Sequence, residues 1–464
     1  MSEFRSPEAT QSLDKSLPKF YAKFQIFLPG NTDSLPSQLF SILFFHFSLI
    51  YIFQTPNKFS LLQALSQVVL TKVITLDVRY LDDDIGFPIG DWVLEASRLH
   101  VKKICLNLIN FNIFTLPSGV LNSACLRDLE VCLGPNGLLD MPTSSSGGLQ
   151  NLKLVALRVS LKFDEWISSC KSLRKLYLDV VSVPNGLNIS SSSLEDLILE
   201  DIVSSARDFN IKVSARRLKN LRIFCPPDFK VLQSLTLHAP KLERFFWDGP
   251  ASNYSCEVNL ESLCSADISV VFTPIQHEAL DNGIIGKVLR SMHRVSSMSI
   301  HDCSIKGISS QALLPEFYDL HSLTIIGTDF GNKTPSIASL LNSMPHLNTL
   351  KIQETHNGLF EGHLMSFSTS SQEKICYTAE YWESQNLKFV HSLKELEVEI
   401  NGEQNEIELI KYLLKNAKAM KTISIHYSRY ACSVPRRLSE ISRKIQQFEI
   451  ASSSVTIYFF YRDE

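Results

Sequence analysis

Several residue patterns in the chain have the types needed for chemistry, and each fails on spacing. Asn282-Gly283-Ile284-Ile285-Gly286-Lys287 sets two glycines ahead of a lysine, the composition of a loop that cradles phosphate. Such a loop needs four residues between its glycines and Ser or Thr after the lysine, whereas here two intervene and Val288 follows. His277-Glu278 lacks the second histidine one helical turn on that would complete a zinc site. Asp82-Asp83-Asp84 offers carboxylates for a hard cation, but adjacent residues point in different directions, so a solvated turn is expected. The cysteines scatter from Cys105 to Cys432 without any C-x-x-C, which excludes a zinc framework by spacing. Reduced and mostly buried thiols are expected. No G-x-S-x-G elbow occurs. The expectation is therefore a protein with no catalytic, metal-binding or cofactor-binding residues, and not an enzyme.

Composition bounds what remains. The 464 residues are 44% apolar and 20% charged, ordinary globular usage that allows a large core. With 45 Lys+Arg against 48 Asp+Glu the net charge is -3, which supplies no general basic field for nucleic acid or anionic lipid. Neither is expected as a partner, and recognition has to come from local surface. From Ser34 to Asn57 there is no charged side chain, and Leu39 to Phe53 is almost wholly apolar. That dense stretch is shorter than the roughly 20 residues a membrane-crossing helix needs, and it contains His46, Ser41 and Ser48. A buried helix is expected there, with a membrane anchor as a competing reading. The first twenty residues are polar and mixed in charge, unlike a secretory leader, so the triplets at Asn188, Asn253 and Asn332 carry little weight as glycosylation sites.

A repeat organises the rest. Frames of the form apolar-x-x-apolar-x-apolar begin at Leu126, Leu149, Leu173, Leu194, Leu218 and Leu242, spaced 23, 24, 21, 24 and 24 residues apart. Further frames begin at Val73, Val101, Val295, Leu320, Leu347, Leu393 and Met420. A period in the low twenties with this signature is that of a leucine-rich repeat, each coil being one short parallel strand with a helical or irregular return. The fold class expected is α/β, a leucine-rich-repeat solenoid. The gaps from 242 to 295 and from 347 to 393 each conceal a degraded coil or an insertion, and Leu260/Leu263 reads as one remnant. Side chains alternate along a strand, so residues between the apolar ones form columns on a concave face. These are Lys175, Asp196, Asn220 and Arg244; Tyr177, Ile198, Arg222 and Phe246; and Asp179, Glu200, Phe224 and Asp248. Mixed charge with Tyr, Phe and Arg is the composition of a protein-binding patch. Past residue 390, period-two runs at 393–400 and 420–427 flank a helical stripe at Ile407, Ile410, Leu413 and Leu414. A second stripe at Leu438, Ile441, Ile445 and Phe448 precedes the alternation Val455, Ile457, Phe459, and the whole is expected to cap the solenoid.

The phrases LRKLYLDVV, SLEDLILEDI and HAPKLERFFWDG resemble the repeats of the plant F-box/leucine-rich-repeat proteins that carry a C-terminal FBD domain. Residues 387–428 are similar to the FBD signature and 451–460 to its last strand. The resemblance implies a divergent N-terminal segment over 1–64 (F-box degenerate or absent), repeats over 65–385 and an FBD-like α/β unit over 386–464. It implies the substrate-recognition subunit of a Skp-cullin-F-box ubiquitin ligase, cytoplasmic or nuclear, with a Skp-type adaptor and a protein substrate as partners. Leu35, Pro36, Leu39, Ile42 and Leu43 match the start of the adaptor-docking motif, but no Trp precedes Trp92 where the family pattern ends near a basic-Trp pair. An F-box-less interaction scaffold is the alternative.

Overall fold

Five-residue segments that alternate buried and half-buried side chains can satisfy their backbone only by pairing edge to edge, and the chain does this coil after coil. The computed structural model describes residues 22–25, 73–78, 93–94 and 101–460, except 109–112, 142–147, 205–208, 226–231, 251–252, 257–259, 272–282, 306, 309–313, 328–332, 354–374 and 428–434. Two compact units result, Met1–Lys162 and Phe163–Glu464.

In the first unit, β1 (Val73–Val78), β2 (Lys103–Leu108), β3 (Asp128–Cys132) and β4 (Asn151–Val159) pair in parallel in that order, with Ala22–Gln25 antiparallel on β1. The register stacks Leu106 on Val131 and Val131 on Leu154, which are all buried.

In the second unit a long parallel ladder runs through β5 (Lys175–Val183), β6 (Asp196–Glu200), β7 (Asn220–Phe224), β8 (Arg244–Pro250) and β9 (Ser265–Val271). It continues through β10 (Ser297–His301), β11 (Ser322–Ile326), β12 (Thr349–Gln353), β13 (Glu395–Ile400), β14 (Thr422–Tyr427) and β15 (Thr456–Phe460). Inward residues form continuous rows such as Leu178, Leu199, Ile223, Trp247 and Ile268, each at 0% exposure. Burying one such side chain stabilises by roughly 1.5–3 kcal/mol, and a lone coil has nothing to bury it against. A backbone rung locks the coils at their start: the Arg174 carbonyl accepts N–H groups of Glu195 and Asp196 at 2.8 and 2.9 Å, and the Glu195 carbonyl accepts those of Lys219 and Asn220 at 2.8 and 3.1 Å.

The return segments depart from the expected helical or irregular form. Leu187–Ser191, Phe209–Ala215, Leu232–His238 and Asn253–Cys256 make a second, four-stranded parallel sheet. Coils starting at 175, 196, 220 and 244 are too short to add a helix of several turns, and Ile211, Val213 and Ala215 alternate with polar residues as strands do. The longer coils return through helices: α1 (Gly283–Ser291), α2 (Thr334–Asn342), α3 (Gln404–Asn416) and α4 (Pro435–Gln446).

Of the two sequence gaps, one is a coil and the other an insertion. β9 sits in register between β8 and β10, with Ala266 where its neighbours carry Phe245 and Met298. By contrast β12 pairs directly with β13, with no strand between them in the ladder. Among the described cysteines only Cys170 and Cys225 are buried, and Cys264 and Cys376 are exposed. Cys105, Cys132 and Cys256 take half-exposed positions on strands, which corrects the expectation of mostly buried cysteines.

Candidate functional site

Parallel register turns the outward residues of β5–β9 into three rows. Lys175, Asp196, Asn220, Arg244 and Ser265 form one; Tyr177, Ile198, Arg222, Phe246 and Asp267 the next; Asp179, Glu200, Phe224, Asp248 and Ser269 the third. The first two rows line an open cleft of about 530 Å³.

Polar side chains in these rows are tied to one another. In the first row Lys175 Nζ lies 3.3 Å from Asp196, the Asn220 amide donates to Asp196, and Arg244 Nε donates to Asn220 Oδ1 at 2.6 Å. In the second, the Tyr177 hydroxyl donates to Glu200 at 2.7 Å and to Asp179 at 3.2 Å. Arg222 Nε donates to the other Glu200 oxygen at 2.9 Å, and its guanidinium sits 4.0 Å above the Phe246 ring. Arginine over an aromatic face is held by the ring quadrupole as well as by its stem, which keeps it extended across the sheet.

Carboxylates gather along the third row. Burial, then the charges of Asp179 and Glu200, push Asp201 above the ordinary aspartate range. Burial does the same to Asp248, against a hydrogen bond from Ser269 and the positive charges of His301 and Arg222. Asp248 shares the expected column but is only 5% exposed. Burial and the adjacent Glu200 raise the Tyr177 phenol, so it remains a proton donor at neutral pH. Cys225, next to this row, has its thiol pushed up to about 12 by burial, then by Asp201 and Asp248, which makes it a poor nucleophile. The arrangement is suited to recognition by hydrogen bonds, ion pairs and aromatic contact.

The other sequence patterns come out as follows. Gly283 and Gly286 lie in α1, whose Ile284, Ile285, Val288 and Leu289 are buried, so this segment is a core helix. Asp82–Asp84, His277-Glu278 and the adaptor-docking residues Leu35, Pro36, Leu39, Ile42 and Leu43 lie outside the described residues, as does the apolar stretch 39–53. Among the described residues no cluster of His, Cys, Asp or Glu could hold a metal ion, and no helix is long and apolar enough to cross a membrane. Ser265 and Asp267 of the cleft were not singled out from sequence, because Ala266 breaks the apolar frame of their coil. The 21-residue step from Leu242 to Leu263 was the available signal.

The FBD family pattern matches residues 387–425, which here are β13, α3 and the start of β14. An F-box/FBD/LRR-repeat protein of Arabidopsis thaliana is 25% identical over 299 residues, covering 61% of this chain and 64% of its own length. An F-box/LRR-repeat protein of the same plant is 23% identical over 399 residues, covering 80% of this chain and 74% of that one. The chain is thus similar to plant F-box/FBD/LRR-repeat proteins over much of its length. The match to the first of these relatives thus spans under two thirds of that protein. Among solved structures, the crystal structure of the TLR13-ssRNA13 complex covers 78% of this chain and 57% of its own, at 12% identity and a TM-score of 0.35.

The FBD segment extends the same ladder and adds a second charged group to it. Glu397 of β13 lies 2.7 Å from Lys351 Nζ and 3.8 Å from His426 Nε2. Burial opposes ionisation of Glu397, but Lys351, His426 and Gln353 together hold it below the usual glutamate range. His426 in turn stacks on Phe460 of β15, with ring centroids 4.7 Å apart.

Proposed function

We propose that the chain is the substrate-recognition subunit of a Skp-cullin-F-box ubiquitin ligase, capturing its target protein on the long-sheet face between β5 and β9. The observation that carries this reading is the cleft across those strands, where Tyr177, Ile198 and Phe246 stand beside Arg222 and Arg244. Half-buried aromatics beside exposed arginines on a parallel sheet are what a protein partner uses as anchors. Relatives named as F-box proteins support the ligase half of the proposal. In that half, Leu35, Pro36, Leu39, Ile42 and Leu43 dock a Skp-type adaptor, ubiquitin transfer is the work of other subunits, and this chain contributes binding alone. The protein would act in the cytoplasm or the nucleus.

A second reading has its own observation. The residues after Leu43, FFHFSLIYIF, do not continue the adaptor-docking pattern, which favours a repeat scaffold without a ligase role. Co-precipitation with a Skp-type adaptor separates the two. Adaptor capture by the full chain that is lost on deleting residues 1–60 is the expected result. Equal failure of both forms would leave the scaffold.

A further inference from the structure

The hydrogen-bonding capacity of the cleft is unbalanced. Asp196 is engaged by Lys175 and Asn220, whereas Asp267 Oδ1 lies 3.5 Å from His301 Nε2 and accepts no hydrogen bond among the described residues. Glu200, behind the cleft, is taken by Arg222 and Tyr177. The guanidinium groups are not used up. Among the described residues Arg222 donates through Nε alone, leaving its terminal nitrogens, and it is roughly half exposed. Arg244 donates Nε to a neutral amide, and among the described residues it makes no ion pair.

Register puts the two arginines close together. Arg244 is opposite Asn220, and Arg222 is two residues further along the strand that carries Asn220, so they are diagonal neighbours on one face. Long side chains bridge the 7–8 Å or so of such a diagonal. Between them lie forked N–H donors that match a carboxylate, with the apolar surface of Ile198 and Phe246 beside them.

We propose that the cleft binds an acidic segment of the target protein, one Asp or Glu carboxylate being held between Arg222 and Arg244 and a neighbouring apolar residue resting on Ile198 and Phe246. This rests on the reading of the long-sheet face as the recognition surface. Carboxylates in and beside the third row, Asp179, Glu200, Asp248 and the adjoining Asp201, would repel an acidic segment that lay across them, which confines it to the first two rows.

The test uses the full chain and three fluorescein-labelled peptides of equal length in which alanine and leucine alternate with glutamate, lysine or serine. Fluorescence anisotropy is followed with wild type, Arg222→Gln, Arg244→Gln and the double variant Tyr177→Ala/Phe246→Ala, each checked for an unchanged thermal melt. The glutamate peptide should bind about tenfold or more tightly than the others, and each Arg→Gln change should weaken it by about tenfold, the loss of a charge-assisted hydrogen bond. A lysine or serine peptide that binds as well, and is lost in the Tyr177/Phe246 variant, would keep the recognition face and overturn the acidic occupant. Binding of no peptide, or binding indifferent to every variant, would overturn both.

Discussion

Asp248 is the residue at which outward position and burial conflict. It stands in an outward column, yet it is buried beside Cys225 and Ser269. Burial raises its carboxyl above the ordinary aspartate range. A raised carboxyl contributes stability that is fully present below the unfolded value and is lost as pH rises through the folded one. Asp248→Asn should therefore be less sensitive to pH than wild type, gaining relative stability between acid and neutral pH in urea titrations. Parallel curves for the two proteins would show that Asp248 ionises freely. The spacing places this side chain on its strand and row, but its burial depends on neighbours from adjacent coils, Cys225 and Ser269, which no spacing rule encodes.

At the scale of elements, the strands were legible because the apolar frame repeats, and the returns were not. Leu173, Leu194, Leu218 and Leu242 keep time in the sequence, and each precedes a strand by two residues. A strand return such as Phe209–Ala215 has only its local alternation to show. A bend in or just after the inner strand is also unmarked. Ala156, Val180 and Asp201 fall two residues after the inward Leu154, Leu178 and Leu199, and each has positive φ, 47°, 52° and 53°. A β-branched residue is costly there. Val180→Gly, at a position 42% exposed, should stabilise the fold by about 1 kcal/mol in chemical denaturation, and a loss would show that the bend is not strained.

Helix α3 depends on a capping box. Glu406 accepts backbone N–H groups of Asn401, Gly402 and Glu403 at 3.0, 2.9 and 2.9 Å, while the Glu403 side chain accepts from the backbone of Glu406. Burial raises the Glu406 carboxyl to about 8 against these donors. Its stabilising share is thus complete below pH 4.5 and declines as pH rises through about 8. Glu406→Ala should cost about 1–2 kcal/mol, and Glu406→Gln should retain an acceptor and flatten the decline across pH 5–8 in thermal melts. An alanine variant as stable as wild type would remove the cap from the account.

Over the whole molecule, stability in a repeat array is the sum of coils and their contacts with nearest neighbours. Trp247 is fully buried and stacks on Tyr254 at 5.8 Å, so Trp247→Ala should cost about 3–5 kcal/mol. Hydrogen exchange should lose protection first in β7, β8 and β9, with β13 and β14 still protected. Uniform loss across the second unit would indicate one cooperative block. Repeat number was only partly legible, because Ala266 hides a true coil while 354–394 imitates the length of one.

The central claim, that the long-sheet face is where a protein partner binds, is tested most directly by photo-crosslinking from two positions of the second unit. A photoreactive residue replaces Ile198, in the cleft, or Lys212, exposed on the four-stranded sheet. In plant extract carrying the Skp-type adaptor, position 198 should yield discrete crosslinked partners that disappear when Tyr177, Arg222 and Phe246 are changed to alanine, and position 212 should not. Partners captured from 212 alone, or from 198 regardless of the triple substitution, would contradict it.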